Sequence, residues 1–404
     1  MLKKITISQL DTGMYVQELD CGWMTHPFLS SSFKVTSAAI IDKIRKAGIQ
    51  RLVIDTAKGK DVGDAPTVQE SNKQLDQRQQ ALGEAVAPQE NKRSGVANEL
   101  GTAKKILQDA QSVMHNILAQ ARADESPRLD DAHLLVERIT DSLARNPDAL
   151  LGISRIKQKD QYLFQHSVAT SVVLGAFARA MKLPVDTIRD IVMGGLLHDI
   201  GKTQVPLQLL QKPAKLTEDE FAIVAEHVSL GRQILLELND IPKCVIDIVS
   251  QHHERWDGTG YPKNLKGNQI SIEGQMAGIV DVYDALTANR PYKSAAEPAL
   301  ALKKILEWSD LHFDAQLVQH FIRAMGIYPV ASLVQLDNGL VGVVLEQSTK
   351  LLRPCIRVFY DITKKRYVQA HTVDLSAAGT RYTDHKIVGA VNPSEHRINP
   401  YDFI

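Results

Sequence analysis

From about Ala97 to Gly326 the apolar residues recur at helical spacing. Five of the thirteen histidines in this chain, His166, His198, His227, His252 and His253, fall on faces that this spacing turns inward. A fold built on this pattern has to satisfy several buried imidazoles at once, because an unpaired polar group in an apolar interior is costly. One buried histidine is ordinarily a hydrogen-bonded core residue. Five in one helical block point to a shared ligand, and a metal ion takes several neutral imidazoles together. The densest part of the pattern is His252-His253-Glu254-Arg255-Trp256-Asp257-Gly258-Thr259-Gly260-Tyr261-Pro262. Adjacent residues on a helix point about 100° apart, so His252 and His253 are expected to face two different ions.

The block is flanked by regions of another character. Apolar residues alternate with polar ones around Ile5, Ile7, Met14 and Val16, Ser37 is placed to cap a helix ending at Gly48, and a strand follows from Arg51. Residues 1–57 therefore predict a small α+β domain that is regulatory or dimerising, the latter giving a homodimer. Residues 58–97 hold no aromatic residue and are rich in Gln, Glu, Lys and Asp, which predicts a flexible polar linker. Residues 98–328 form the helical region, including a helix opened by the capping box Thr217-Glu218-Asp219-Glu220 and running through His227. Residues 329–404 predict a β-rich extension, with a hairpin turning at Asp337-Asn338-Gly339. The expected fold class is multidomain and mainly α: a central all-α bundle with a small α+β N-terminal domain and a short β-rich C-terminal extension.

Composition excludes some functions. With 47 basic and 47 acidic side chains the formal net charge is zero, which argues against binding nucleic acid polymers or an anionic membrane through general attraction. Cys21, Cys244 and Cys355 are widely spaced and form no CxxC pair, as in a reducing compartment. The start, Met1-Leu2-Lys3-Lys4-Ile5, passes directly into alternating residues, and no apolar run is long enough to span a bilayer. A cytoplasmic location is expected.

His198-Asp199 closes the apolar stretch Ile191–Leu197 and precedes Ile200-Gly201-Lys202. An aspartate directly after a ligand histidine is placed to bridge two ions, and Asp281 offers a second carboxylate. No cysteine adjoins these positions, so nitrogen and oxygen donors favour iron or manganese over a structural zinc.

His166, His198-Asp199 with Gly201-Lys202, His227, His252-His253, Gly260-Tyr261-Pro262, and Asp281 with Asp284-Ala285-Leu286-Thr287, in this order, resemble the HD-GYP branch of the HD phosphohydrolases. The resemblance covers roughly residues 150–325, and the strand-rich start resembles the small domain often found ahead of HD-GYP modules in bacterial proteins. It implies an HD-type helical bundle and a metal-dependent phosphodiesterase that opens the bacterial second messenger cyclic di-GMP. The products would be pGpG and, where pGpG is rebound and cut again, GMP, through attack of a metal-bound hydroxide on phosphorus.

On the same resemblance His166, His198, Asp199, His227, His252, His253 and Asp281 are the metal ligands, and Asp199 and Lys202 are catalytic. Lys202, Gly260, Tyr261, Asp284, Arg290 and Lys293 bind substrate; Asp284 could equally bond nearby backbone or Arg290. Some members hold a third metal through a glutamate about one turn before the first histidine. This chain has Asp160-Gln161-Tyr162 there, which implies a two-metal centre, with His253 then free to bind substrate or water. Two other readings remain: a weakly active or inactive module that binds a cyclic dinucleotide, or a signalling protein partner through the Gly-Tyr-Pro loop; and a phosphodiesterase for another cyclic dinucleotide.

Overall fold

The computed structural model describes residues 1–20, 32–84, 94–155, 162–212, 214–288, 295–309, 311–379, 384–396 and 398–404. The chain forms two compact units, one of Met1–Gln79 with Leu207–Ile223 and one of Gln80–Pro206 with Val224–Ile404.

In the first unit β1 (Leu2–Thr6), β2 (Tyr15–Leu19), β3 (Phe33–Lys34) and β4 (Arg51–Asp55) form an antiparallel sheet in the order β1-β4-β2-β3. Alternation places Ile5, Val16, Leu52 and Ile54 in one core, closed by Ile44 of helix α1 (Ala38–Lys46). The expected α+β character is present.

The flexible-linker reading of residues 58–97 does not hold over Val68–Glu84, which form helix α2. Thr67 and Glu70 make a reciprocal capping box: the Glu70 carboxylate accepts from Thr67 N at 2.8 Å, and Thr67 Oγ1 accepts from Glu70 N at 3.1 Å. A polar segment can thus be helical when its end is capped and Leu75 supplies a buried contact.

The helices that follow are α3 (Val96–Arg122), α4 (Asp130–Arg145), α5 (Pro147–Ser154), α6 (Tyr162–Ala180), α7 (Val185–Leu197), α8 (Leu207–Leu210), α9 (Glu218–Ala225), α10 (His227–Leu236), α11 (Lys243–Gln251), α12 (Ile272–Thr287), α13 (Pro298–Glu307) and α14 (Ala315–Met325). The second unit is centred on α6, which packs against α7, α12, α5, α4 and α14. Its Val168, Val172, Val173, Leu174, Ala176 and Phe177 are all buried, as expected of a helix enclosed by others. At the edge of the bundle a stripe on α3, Ala103, Ile106, Ala110, Met114, Ile117 and Ala121, faces the interior at helical spacing. Buried Glu99 takes Arg145 on both oxygens, at 2.9 and 2.8 Å, and Ser142 at 2.8 Å, so its charge is matched. The Thr217 capping box forms, but the helix it opens stops at Ala225, and His227 starts another.

The C-terminal sheet has the order β8-β7-β6-β5-β9, with β5 (Leu333–Leu336), β6 (Leu340–Glu346), β7 (Cys355–Asp361), β8 (Arg366–Asp374) and β9 (Ile387–Ala390), all antiparallel. The predicted hairpin joins β5 to β6, pairing Leu333 with Val343. It is tied to the bundle by Asp148, which accepts from Gln347 N at 2.9 Å, and by Asn146, which donates to Glu346 at 3.2 Å.

Leu135 is buried at 2% exposure beside Leu134, exposed at 60%. Leu135→Ala should lower stability by about 2–5 kcal/mol, and Leu134→Ala should change it by no more than about 0.5 kcal/mol. Urea unfolding followed by circular dichroism measures both.

Candidate metal centre

Six segments of the second unit deliver the cluster. His166 stands on α6, and His198 and Asp199 end α7. Lys202 lies on the short 3-10 turn Ile200–Gln204, and His227 opens α10. His252 and His253 follow α11, and Asp281 and Asp284 stand on α12. All except Lys202 are buried.

The 3-10 turn comes close to α10 through glycine. A Cβ on Gly201 would lie 2.0 Å from the His227 carbonyl and 2.4 Å from Gly231 N, so only glycine lets the turn after Asp199 lie against the start of α10. The same turn carries Lys202, whose ammonium reaches back to Asp199 Oδ2 at 2.5 Å.

Three of the histidines share one orienting device. Nδ1 of His198 donates to the Gly195 carbonyl at 2.8 Å, that of His227 to Val224 at 2.7 Å, and that of His252 to Val249 at 3.0 Å. Each acceptor lies three residues earlier in the chain. Fixing the proton on Nδ1 leaves the Nε2 lone pair pointing inward, the state a metal ligand requires. Asp284 orients the His166 ring from the same side, with Oδ2 2.6 Å from Nδ1. Its expected substrate-binding role is therefore corrected: the carboxylate is buried and engaged with the His166 ring.

Asp199 lies at the centre. Its Oδ2 is 3.6 Å from His166 Nε2 and 3.4 Å from His198 Nε2; its Oδ1 is 3.4 Å from His227 Nε2 and 3.9 Å from His252 Nε2. Two sets of ligand atoms converge within 4.8 Å: His166, His198 and Asp199, and Asp199, His227, His252 and His253. Asp281 lies alongside both, with Oδ1 3.1 Å from His166 Nε2 and Oδ2 3.7 Å from His253 Nδ1. The expectation that His252 and His253 diverge toward separate ions is corrected. Helix α11 ends at Gln251, the 100° rule lapses beyond it, and the two rings lie 4.1 Å apart in the same set.

The electrostatics suit a cation. Burial disfavours charge on His227 and His252 and lowers them to about 4 and about 3; burial likewise holds His253 well below its usual value. All three are neutral near pH 7. Burial opposes charge on His166 too, yet hydrogen bonds to Asp281 and Asp284 raise it to about 9. Burial pushes Asp199 and Asp281 up, but Lys202 for the first and His166 for the second hold them well below the ordinary carboxylate range. Asp199 Oδ1, Asp281 Oδ2, His227 Nε2 and His252 Nε2 are buried and find no hydrogen-bond partner among the described residues. Buried acceptors grouped in this way fit a bound divalent ion.

Tyr261 is half-buried at the side of the cluster, its ring 4.7 Å from that of His253 and 6.5 Å from that of His227. Arg290 and Lys293, expected to bind phosphate, lie outside the described residues, as do Asp160 and Gln161, on which the two-metal expectation depended. Sequence reasoning missed the orienting carbonyls of Gly195, Val224 and Val249. Their three-residue spacing before each histidine was the available signal.

Residues 151–317 match the HD domain family, residues 2–132 a domain of unknown function, and residues 333–399 a KOW domain associated with HD domains. Over 395 residues the chain is 38% identical to cyclic di-GMP phosphodiesterase PA4108 of Pseudomonas aeruginosa, covering 96% of this chain and 92% of that one. The chain belongs to the HD-GYP family. Other relatives match shorter stretches. A cyclic di-GMP phosphodiesterase of Thermotoga maritima is 33% identical over 41% of this chain and 45% of its own. The 3'3'-cGAMP-specific phosphodiesterase 1 of Vibrio cholerae is 35% identical over 36% of this chain and 34% of its own. Among the described residues no helix is long and apolar enough to cross a membrane.

The depressed histidines predict how stability depends on pH. His227 and His252 titrate near 4 and 3 when folded and near 6.5 when unfolded, so between these values the unfolded chain binds more protons. Their contribution is present above about 6.5 and is lost as pH falls toward 4. His166, raised to about 9, is protonated in both states below 6.5 and does not offset this loss. The melting temperature of chelator-treated protein should drop steadily from pH 6.5 to pH 4.5, and replacing His252 with Gln should flatten that slope.

Proposed function

We propose that this chain is a metal-dependent phosphodiesterase that hydrolyses cyclic di-GMP to pGpG, and to GMP when the linear product is cut again. The observation that carries the reading is the placement of Asp199, whose two carboxylate oxygens face two separate sets of histidines. His166 and His198 hold one divalent ion with Asp199, and His227, His252 and His253 hold the other, with Asp281 beside both. Nitrogen and oxygen donors without thiolate favour iron or manganese. Such ions would acidify a water and neutralise charge on the phosphate under attack.

The chain's own residues prepare this chemistry. The backbone carbonyls behind His198, His227 and His252 fix the orientation of the three rings, so little reorganisation accompanies the reaction. Lys202, partly exposed beside Asp199, lies where an ammonium can move from that carboxylate to a phosphate oxygen. The Tyr261 ring forms a wall next to His253 and His227, and burial holds its hydroxyl protonated, able to donate a hydrogen bond to substrate. The full-length likeness to the Pseudomonas phosphodiesterase supports cyclic di-GMP as substrate, and the shorter match to a cGAMP-specific enzyme supports a second candidate.

Asp199→Ala should abolish hydrolysis and lower the bound metal per chain, read by chromatography of cyclic di-GMP products and by elemental analysis of anaerobically purified protein. Undiminished hydrolysis by that variant would defeat the proposal. Lys202→Ala should keep the metal and reduce kcat by roughly 10²–10³-fold, as expected for removing one charge-stabilising donor. A competition assay with cyclic di-GMP and 3'3'-cGAMP decides between the two substrates.

A further inference from the structure

Glu254 follows the two histidines directly, yet it is not among the carboxylates whose atoms converge with them. It is buried at 4% exposure, and both oxygens are taken by backbone. Oε1 accepts from Lys263 N at 2.8 Å and Oε2 from Leu265 N at 2.9 Å. These amides lie two and four residues beyond Tyr261, so one carboxylate grips the return limb of the Gly-Tyr-Pro loop. Charge-assisted hydrogen bonds to two backbone donors are among the stronger anchors a loop can have.

The outgoing limb is fixed by contact. A Cβ on Gly260 would lie 2.3 Å from Arg255 N and 2.4 Å from Glu254 Cα, so the loop backbone rests directly on the residues after His253. Tyr261 N donates to the His253 carbonyl at 3.2 Å, and Asn264 Nδ2 donates to the Gly260 carbonyl at 2.5 Å. Arg255 is buried as well, its guanidinium 5.6 Å from the centre of the Phe313 ring. The loop carrying Tyr261 is therefore held at both limbs by the residue pair that ends the histidine segment.

We propose that Glu254 is a positioning residue: by clamping the Lys263 and Leu265 amides it holds the Tyr261 ring against His253, and so sets the shape of the cleft wall that receives the cyclic dinucleotide. The kinetic part of this inference rests on the function proposed above; the structural part does not. Glu254 acts through Tyr261 and touches neither the ligand atoms nor substrate. Its loss should weaken substrate binding while leaving the metal in place.

The test uses the full-length protein with Glu254→Ala, which removes both acceptors, and Glu254→Gln, which keeps one oxygen and guards against a variant that fails to fold. Hydrogen exchange is followed by mass spectrometry on peptides covering residues 258–266 and, separately, α11 and α12. The expected result is exchange in the loop faster by roughly tenfold or more in Glu254→Ala, and by less in Glu254→Gln, with the helices and the metal content unchanged. KM for cyclic di-GMP should rise by roughly tenfold in Glu254→Ala with kcat changed less than threefold. Unchanged exchange in the loop overturns the proposal. So does acceleration that spreads equally through α11 and α12, or loss of metal, since either makes Glu254 a general stability or ligand-shell residue. If the unmodified protein does not cleave cyclic di-GMP, the proposed function fails and the exchange result still decides the clamp.

Discussion

The bundle depends on one buried carboxylate. Asp199 is 2% exposed and carries its negative charge inside a buried cluster. Such a group is tolerable only if its field is matched from nearby, because the cost of removing an ion from water is several kcal/mol. Here the match comes from Lys202 on one oxygen and from ring nitrogens on both. Removing Lys202 from Asp199 without supplying another cation would leave that charge less fully matched. The protein therefore has a standing requirement for positive charge at this point, which a divalent ion would meet.

Bringing six segments to one carboxylate requires tight backbone packing. The turn after Asp199 touches the start of α10 where Gly201 meets the His227 carbonyl, and α7 meets α6 where a Cβ on Gly195 would lie 2.7 Å from Ser171 Cα. These approaches are closer than any side chain permits, so the positions of His198 and His227 are set by main chain against main chain. A geometry fixed in this way changes little with side-chain motion, which suits a centre whose ligands must stay aligned through a reaction.

Much of this was legible in residue order. The inward histidines, the aspartate among them, the helical block and the first C-terminal hairpin could be read because burial periodicity and turn chemistry are local in sequence. What could not be read depended on contacts between distant segments or on backbone atoms. The engagement of Asp284 with His166 needs α6 and α12 to be neighbours, and nothing local to Asp284 reports that. Helix α2 was read as a linker because its composition is polar, although Thr67 and Glu70 carried the capping signal. Strand β8, with its mostly exposed residues, lacks the alternation that marks a half-buried strand. The facing of His252 and His253 was misread because a rule for helix interiors was applied to a pair at the helix end.

The division of labour between helices and loops follows from the same physics. Cleaving a phosphodiester needs groups around phosphorus held to fractions of an ångström, and these stand on or directly beside helices locked by glycine contacts and backbone carbonyls. Telling one base from another needs donors and acceptors several ångströms from the reacting atom, beyond reach of the ligand set. Among the described residues the loop from Gly258 to Leu265 stands beside the centre and presents an aromatic ring to it. A scaffold with this arrangement can keep its hydrolytic centre while its loops change, because a loop exchanged between two anchor points perturbs neither the central aspartate nor the carbonyls that orient its histidines. Substrate choice and bond cleavage are in that sense separable properties of this fold, joined where the loop backbone crosses the residues that follow His253.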